Sequence, residues 1–164
     1  MVSMNNADLI LPGLWLGNKA ASMDEKFLRE NNINCVFNCT KDLPFNSFPK
    51  RKYRVPVDDN LEREEIRNME LWSYEIVYKL TKELKQGSVL VHCYAGMQRS
   101  AAVVAMYLIA NYSMKKDNAI SFIKRQRPIA FRPFTNFEKA IQGFQDSYER
   151  DIIPKLLNDS SSPR

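Results

Sequence analysis

Short apolar runs alternate with amphipathic stretches along most of the chain. Residues 8–12 and 13–17 are apolar runs punctuated by proline and glycine, which predicts two strands joined by a tight turn. The β-branched, apolar runs 33–39 and 53–57 predict buried strands. Residues 88–93 are apolar almost throughout, which predicts a central strand that is covered on both faces of a sheet.

Helical periodicity fills much of the chain between these runs. Residues 69–85 place apolar side chains at three- and four-residue spacing, and Gly87 stands where such a helix would end. Residues 100–110 are apolar on nearly all sides, which is typical of a helix buried in the core. The other predicted helices span residues 22–30, residues 113–126 with Ser113 as the N-cap, and residues 137–152.

This alternation predicts an α/β fold with a central, mostly parallel, twisted sheet of about five strands flanked by helices. In such a fold the functional site lies at the carboxyl ends of the strands. A chain of 164 residues has room for one domain. We expect that domain to span residues 1–157, and residues 158–164, with three consecutive serines and a proline, to form a disordered tail.

Composition narrows the class of protein. The chain is 45% hydrophobic and 26% charged, and it contains no run of about 20 apolar residues that would span a membrane. Its start lacks the pattern of a secretory signal, so we expect a cytoplasmic or nuclear location. The net charge of +5 favours anionic partners without identifying one.

The few cysteine and histidine residues limit the chemistry. Three cysteines are too few for a disulfide framework, so we expect free thiols, with Cys35 and Cys39 in the core rather than as resolving partners for an oxidised Cys93. His92 is the single histidine, which disfavours zinc sites rich in histidine and catalytic dyads with a separate histidine base.

The candidate chemistry lies in residues 93–99, here called the Cys93 loop, between the predicted central strand and the buried helix. Backbone N–H groups in a loop that precedes a helix can point inward and bind a phosphate together with the helix dipole. Gly96 permits the backbone angles that such a curl requires. Arg99 can grip two phosphate oxygens with its planar guanidinium.

Cys93 lies in the same positive field. This field should lower the pKa of its thiol from about 8.5 to roughly 3.5–7.5, as in cysteines at helix N-termini. The residue would then be a thiolate nucleophile at neutral pH without a general base. If the loop backbone faces the phosphate, the side chains of Tyr94, Met97 and Gln98 should surround the mouth of the loop and influence substrate choice.

The pattern His-Cys-x-x-Gly-x-x-Arg-Ser at residues 92–100 resembles the signature of the protein tyrosine phosphatase superfamily, and Ala95-Gly96 resembles its dual-specificity branch. The resemblance implies a catalytic domain over residues 1–157 that acts on phosphotyrosine and phosphoserine or phosphothreonine in protein substrates, with no metal or organic cofactor. Further matches are Leu-Trp-Leu-Gly at 14–17, Val-Phe-Asn-Cys-Thr at 36–40, Val-Pro-Val-Asp-Asp-Asn at 55–60 and Arg-Pro at 127–128.

The resemblance also implies individual roles. Asp59, in residues 55–60 (the Asp59 loop), would be the general acid and base, with Asp58 as the alternative. Ser100 would help the cysteine thiolate to leave, and His92 would order the loop and tune the thiol. The implied substrate-binding residues are Tyr94, Ala95, Gly96, Met97, Gln98 and Arg99.

One segment departs from the family. After Arg127-Pro128 the family continues Ile-Ser-Pro-Asn, whereas this chain continues Ile-Ala-Phe-Arg-Pro-Phe with a one-residue insertion. The asparagine that braces the phosphate-binding loop in the family is therefore missing or displaced. Thr135 and Asn136 are candidate substitutes.

Two other functions use the same loop. The first is hydrolysis of an RNA 5′-phosphate or a phosphoinositide, which the basic charge favours weakly. Family members that prefer inositol phosphates tend to carry lysines in the loop, whereas its variable positions here are uncharged. The loop residues therefore argue against lipid, and nucleic acid is a possible partner that is not favoured over protein. The second is a phosphopeptide-binding module without activity, which the intact Cys93, Arg99 and Asp59 disfavour. The sequence leaves the oligomeric state open.

Overall fold

The structure is a computed structural model that describes residues 4–161. Within these residues a five-stranded sheet has the order β1-β2-β5-β3-β4. Strand β1 is antiparallel to β2, and every other neighbouring pair is parallel. The predicted α/β fold with a mostly parallel sheet is therefore confirmed. The strands are β1 (Ala7–Leu11), β2 (Leu14–Gly17), β3 (Ile33–Asn38), β4 (Arg51–Arg54) and β5 (Ser88–His92).

Helices cover both faces of the sheet. Each face has its own apolar core, and alternate side chains of the central strand β5 enter one core or the other. Val89 and Val91 pack in one core and Leu90 in the other. The helices are α1 (Lys19–Met23), α2 (Glu25–Glu30), α3 (Arg63–Leu71), α4 (Ser73–Leu84), α5 (Arg99–Tyr112), α6 (Lys116–Gln126), α7 (Glu138–Ser147) and α8 (Ile153–Ser161), with a π-helical turn at Tyr148–Ile152.

Helix α5 is the helix that the apolar run predicts. Every residue from Ser100 to Ile109 is buried. The helix begins at Arg99, seven residues after strand β5 ends at His92. The carboxyl end of the central strand and the amino end of this buried helix therefore hold the two ends of the Cys93 loop.

Two predicted helices are each interrupted by a polar side chain. Asp24 divides residues 22–30, because its carboxylate accepts the N–H of Phe27 and caps a new helix. The long helix predicted from residue 69 breaks at Trp72 into α3 and α4. The Ser73 hydroxyl donates to the Glu70 carbonyl oxygen at 2.6 Å. In an unbroken helix this oxygen would accept the N–H of Tyr74, so the hydroxyl competes with the backbone.

The prediction of Ser113 as an N-cap is wrong. Ser113 has a left-handed backbone (φ 54°) and ends helix α5, and helix α6 begins at Lys116. Helix α8 runs to Ser161, into the segment for which the sequence predicts a disordered tail. Residues 162–164 of that tail lie outside the described residues. Within the described part of the chain, no helix has the length and apolar character needed to cross a membrane.

Candidate active site

The Cys93 loop packs tightly against strand β2 through two glycines. Gly96 has a positive φ of +68°, which L side chains rarely adopt. A Cβ atom on Gly96 would lie 2.5 Å from the Gly17 carbonyl oxygen and 2.8 Å from the guanidinium of Arg127. The loop therefore requires glycine at this position both for its backbone angle and for its approach to the neighbouring strand.

The Cys93 thiol is buried beneath the loop, with only 2% of the residue exposed. Its Sγ lies 3.1 Å from the Ser100 hydroxyl oxygen. Burial alone would raise the pKa of this thiol. Hydrogen bonds from the Ser100 hydroxyl and N–H, the Arg99 charge and the Gly96 N–H outweigh burial, and the pKa falls below its ordinary value. The expected activation of Cys93 thus has a physical basis in this loop.

Arg99 links the Cys93 loop to the Asp59 loop. Its Nη1 donates to the Val57 carbonyl oxygen at 3.0 Å. Its Nε is buried and has no hydrogen-bond partner among residues 4–161. The guanidinium therefore retains a buried donor for an anion, and a buried donor without a partner is costly unless a ligand satisfies it.

His92 is held neutral behind the loop. The residue is fully buried, and burial lowers the pKa of its imidazole to about 4. Its Nδ1 lies 3.2 Å from the Cys93 carbonyl oxygen, which can only accept, so Nδ1 carries the proton. The other ring nitrogen, Nε2, has no partner among the described residues. This contact with the backbone of Cys93 is suited to ordering the loop.

The two candidate acids lie in different surroundings. Asp59 lines the pocket at the Cys93 loop. Asp58 instead forms an ion pair with Lys41 at 3.1 Å, and its N–H donates to the buried Glu65 at 2.8 Å. Of the two carboxylates, Asp59 is therefore the one placed to reach a group bound at the loop.

The pocket has a volume of about 320 Å³. Tyr94 is 54% exposed at its rim, with its hydroxyl 2.7 Å from the Lys19 ammonium, and Met97 is partly exposed. Its lining residues are Asp59, Cys93, Tyr94, Ala95, Met97, Gln98, Arg99, Arg132 and Asn136.

Gln98 lines the pocket, but its side chain is bonded within the protein. The residue is only 5% exposed. Its amide donates to the carbonyl oxygens of Arg132 (3.1 Å) and Phe134 (2.7 Å). Its side-chain oxygen accepts the N–H of Asn136 at 2.9 Å. An amide with three backbone partners is satisfied within the protein rather than by solvent, so Gln98 joins the loop to the chain around residues 132–136.

Residues 127–136, here called the brace segment, hold the Cys93 loop. Arg127 is fully buried and donates to the carbonyl oxygens of Gly96 (2.8 Å) and Ala95 (3.2 Å). The same guanidinium forms an ion pair with Asp8 at 2.8 Å. The Phe131 N–H donates to the Met97 carbonyl at 2.8 Å. Several backbone-directed contacts thus brace the loop.

Sequence reasoning misses part of this site. In the sequence, the signal for Arg127 is its place in the Arg-Pro match at residues 127–128. That match does not reveal its contact with the Cys93 loop. Arg132 gives no signal, because a single arginine in an irregular segment has no periodicity. Asn136 is a candidate brace of the Cys93 loop from the sequence, but its side chain contacts Asp59, at 2.9 Å.

The two remaining cysteines lie in the core. Both Cys35 and Cys39 are fully buried with free thiols. Burial raises the pKa of Cys35 to about 12, and it raises the pKa of Cys39 well above its ordinary value. Both thiols are therefore protonated at neutral pH.

Comparison with known proteins gives a consistent result. The family model for the dual specificity phosphatase catalytic domain matches residues 14–147. The chain is 30% identical to human dual specificity protein phosphatase 8 over 94% of its length, and to dual specificity protein phosphatase 1 of Arabidopsis thaliana over 88%. It spans 24% of that human protein and 72% of the plant protein. The crystal structure of DUSP15 has a TM-score of 0.76 at 26% identity, covering 96% of this chain and 99% of that one.

Proposed function

The chain belongs to the dual specificity phosphatase family, and from this premise we propose that it hydrolyses phosphotyrosine and phosphoserine or phosphothreonine in proteins through a cysteinyl-phosphate on Cys93. The observation that carries the proposal is the convergence of Cys93, Arg99 and Asp59 on one pocket. A buried thiol with a lowered pKa, a guanidinium with a free donor and a carboxyl group are the components that phosphate transfer to sulfur requires.

In the first step the Cys93 thiolate attacks phosphorus and forms a P–S bond. The P–O bond to the substrate side chain breaks, and the leaving oxygen takes a proton from Asp59 in its acid form. Arg99 and the loop N–H groups bind the oxygens on which negative charge accumulates. The Ser100 hydroxyl releases its hydrogen bond from the thiolate as that charge moves to phosphorus.

In the second step water attacks phosphorus and gives a proton to the Asp59 carboxylate. The P–S bond breaks, inorganic phosphate leaves, and the thiolate returns to the hydrogen bond with Ser100. This hydroxyl lies 3.1 Å from Sγ, so it can stabilise the departing thiolate as it forms. The enzyme ends in its starting protonation state.

Phosphate release from one peptide sequence carrying phosphotyrosine, phosphoserine or phosphothreonine tests the proposal. Cys93→Ser and Arg99→Ala should abolish turnover, and Asp59→Asn should reduce it by about 10²- to 10⁴-fold, the usual contribution of a general acid. Asp58→Asn is the matched control, since this neighbouring carboxylate pairs with Lys41 outside the pocket. Activity that survives Cys93→Ser would refute the mechanism.

The same assay discriminates the other uses of the loop. Triphosphate-ended RNA and a phosphoinositide in parallel reactions would reveal a different substrate class if either is hydrolysed faster than every phosphopeptide. Phosphopeptide binding without any turnover by the unmodified chain would indicate a binding module. We expect turnover of the phosphopeptides and only weak activity on RNA and lipid.

A further inference from the structure

The carboxyl group of Asp59 is held by a side chain from a distant part of the chain. The amide nitrogen of Asn136 donates to Asp59 Oδ1 at 2.9 Å, and both residues line the pocket. We infer that Asn136 is a positioning residue for the general acid and that Gln98 fixes Asn136 relative to the Cys93 loop. This inference rests on the proposed function.

The chemistry of the contact suits both halves of the reaction. An amide N–H can only donate, so Oδ1 is an acceptor and Oδ2 is the oxygen that can carry the transferable proton. Oδ1 can accept this hydrogen bond whether the carboxyl group is protonated or ionised. Asn136 therefore can hold the group in one orientation while Oδ2 releases a proton in the first step and takes one in the second.

Gln98 supplies the link back to the nucleophile. Its buried side chain accepts the Asn136 N–H and donates to two carbonyl oxygens of the brace segment. Gln98 directly precedes Arg99 in the Cys93 loop. Asn136 thus connects the two loops. Its backbone N–H bonds to Gln98 in the loop that would bind phosphate, and its side chain bonds to Asp59, which would protonate the leaving group.

The backbone of the Asp59 loop has separate anchors. Arg99 binds the Val57 carbonyl at 3.0 Å, and Glu65 accepts the Asp58 N–H at 2.8 Å. Removal of the Asn136 side chain should therefore free the Asp59 carboxyl group without releasing its loop. Misplacement of a catalytic group by about 1 Å can reduce a rate about 10²-fold, so a selective effect on proton transfer is expected.

This inference can be tested with substrates whose leaving groups differ in how much they need protonation by Asp59. Asn136→Ala keeps the backbone N–H that binds Gln98 and removes only the amide. On p-nitrophenyl phosphate, whose leaving group needs little protonation, kcat/KM should fall less than about twofold; on phenyl phosphate and phosphotyrosine peptide it should fall about tenfold. Thr135→Ala is the control, because no hydrogen bond from its side chain exists among the described residues.

A double-mutant cycle separates positioning from general damage. In an Asp59→Asn background, where no acid remains, Asn136→Ala should have no further effect on phenyl phosphate. An equal loss on both substrates, or the same loss in both backgrounds, would overturn the inference. Asn136→Leu, closer in size and also without a donor, must repeat the pattern if the alanine variant is unstable.

The outcomes also distinguish the two proposals. If Cys93→Ser retains activity, the proposed function fails whatever Asn136 does. If Cys93→Ser is inactive and Asp59→Asn shows a steep dependence on the leaving group, but Asn136→Ala behaves as the unmodified enzyme, only the positioning role of Asn136 is refuted.

Discussion

The Ser100 hydroxyl oxygen lies 3.1 Å from the Cys93 sulfur at the start of helix α5. A thiolate can only accept a hydrogen bond, so the hydroxyl donates to it and favours the ionised form. This contact acts with the Arg99 charge and two backbone N–H groups to lower the pKa of a thiol that burial alone would raise.

Ser100→Ala should therefore raise the pKa of Cys93. The thiolate forms above this pKa, so loss of the hydrogen bond moves thiolate formation to higher pH and lowers reactivity at neutral pH. The rate of alkylation by iodoacetamide, measured against pH, should show a midpoint shifted upward. Cys93→Ser provides the background from other thiols, and an unchanged or lower midpoint in Ser100→Ala would show that the hydroxyl does not stabilise the thiolate.

Gly96→Ala should abolish the proposed phosphatase activity. Its Cβ would meet the Gly17 carbonyl at 2.5 Å in a backbone conformation that alanine rarely adopts, at a cost of about 1–3 kcal/mol or more. We expect kcat/KM on p-nitrophenyl phosphate to fall more than about 100-fold, because loop geometry controls the reacting atoms.

The control for this substitution is Gly87→Ala, where an added Cβ meets nothing within 4 Å. Urea unfolding of the control should differ from that of the unmodified protein by less than about 0.5 kcal/mol. A fully active Gly96→Ala variant would show that the Cys93 loop can adopt a different backbone conformation without loss of activity.

Arg127→Met should destabilise the fold as well as the site. The substitution leaves the Asp8 carboxylate without its buried partner and the Gly96 and Ala95 carbonyls without their donor. Breaking a buried ion pair from one side costs about 3–5 kcal/mol, which urea unfolding measures. Asp8→Asn, which keeps an acceptor for Arg127, should cost less. An equal decrease in the free energy of unfolding for the two variants would show that the ion pair with Asp8 stabilises the protein and that the contacts of Arg127 with the Cys93 loop do not.

The lowered pKa of His92 should make the free energy of unfolding depend on pH. Its pKa is about 4 in the folded protein, against the ordinary value of 6.5 that applies to the unfolded chain, so the unfolded chain binds a proton first as pH falls. The contribution to stability is complete above pH 6.5 and is lost progressively between about 6.5 and 4, by roughly 3 kcal/mol in total.

The free energy of unfolding from urea titrations at pH 7, 5.5 and 4.5 tests this dependence. The difference between the unmodified protein and His92→Gln cancels the carboxylates, which both proteins share. That difference should shrink with falling pH. A constant difference would mean that His92 is not held neutral.

The sheet and the Cys93 loop were predictable because their signals are local. Strand β5 is an apolar run, and the loop residues follow one another in sequence. Helix boundaries were less predictable, because single side chains such as Ser73 and Asp24 compete with the backbone for hydrogen bonds. Apolar periodicity does not report that competition.

The brace segment was the least predictable part of the site. Its contacts join residues more than 30 positions apart, such as Gln98 with Phe134 and Arg127 with Gly96. The insertion in this segment indicated that the family's bracing asparagine is missing or displaced, but sequence spacing cannot show which groups support the loop. Burial of Gln98 follows from the path of this segment, because its side-chain amide bonds to the segment while the residue lines the pocket.

In the proposed reaction, phosphate passes through the sulfur of Cys93. Rapid acid quenching of the enzyme during turnover of a peptide that carries radiolabelled phosphotyrosine, followed by mapping of the label, detects this intermediate. Ser100→Ala, which should slow the second step, should retain label on the peptide that contains Cys93, and Cys93→Ser should retain none and release no phosphate. Label on another residue, or continued phosphate release by Cys93→Ser, would exclude Cys93 as the carrier of phosphate.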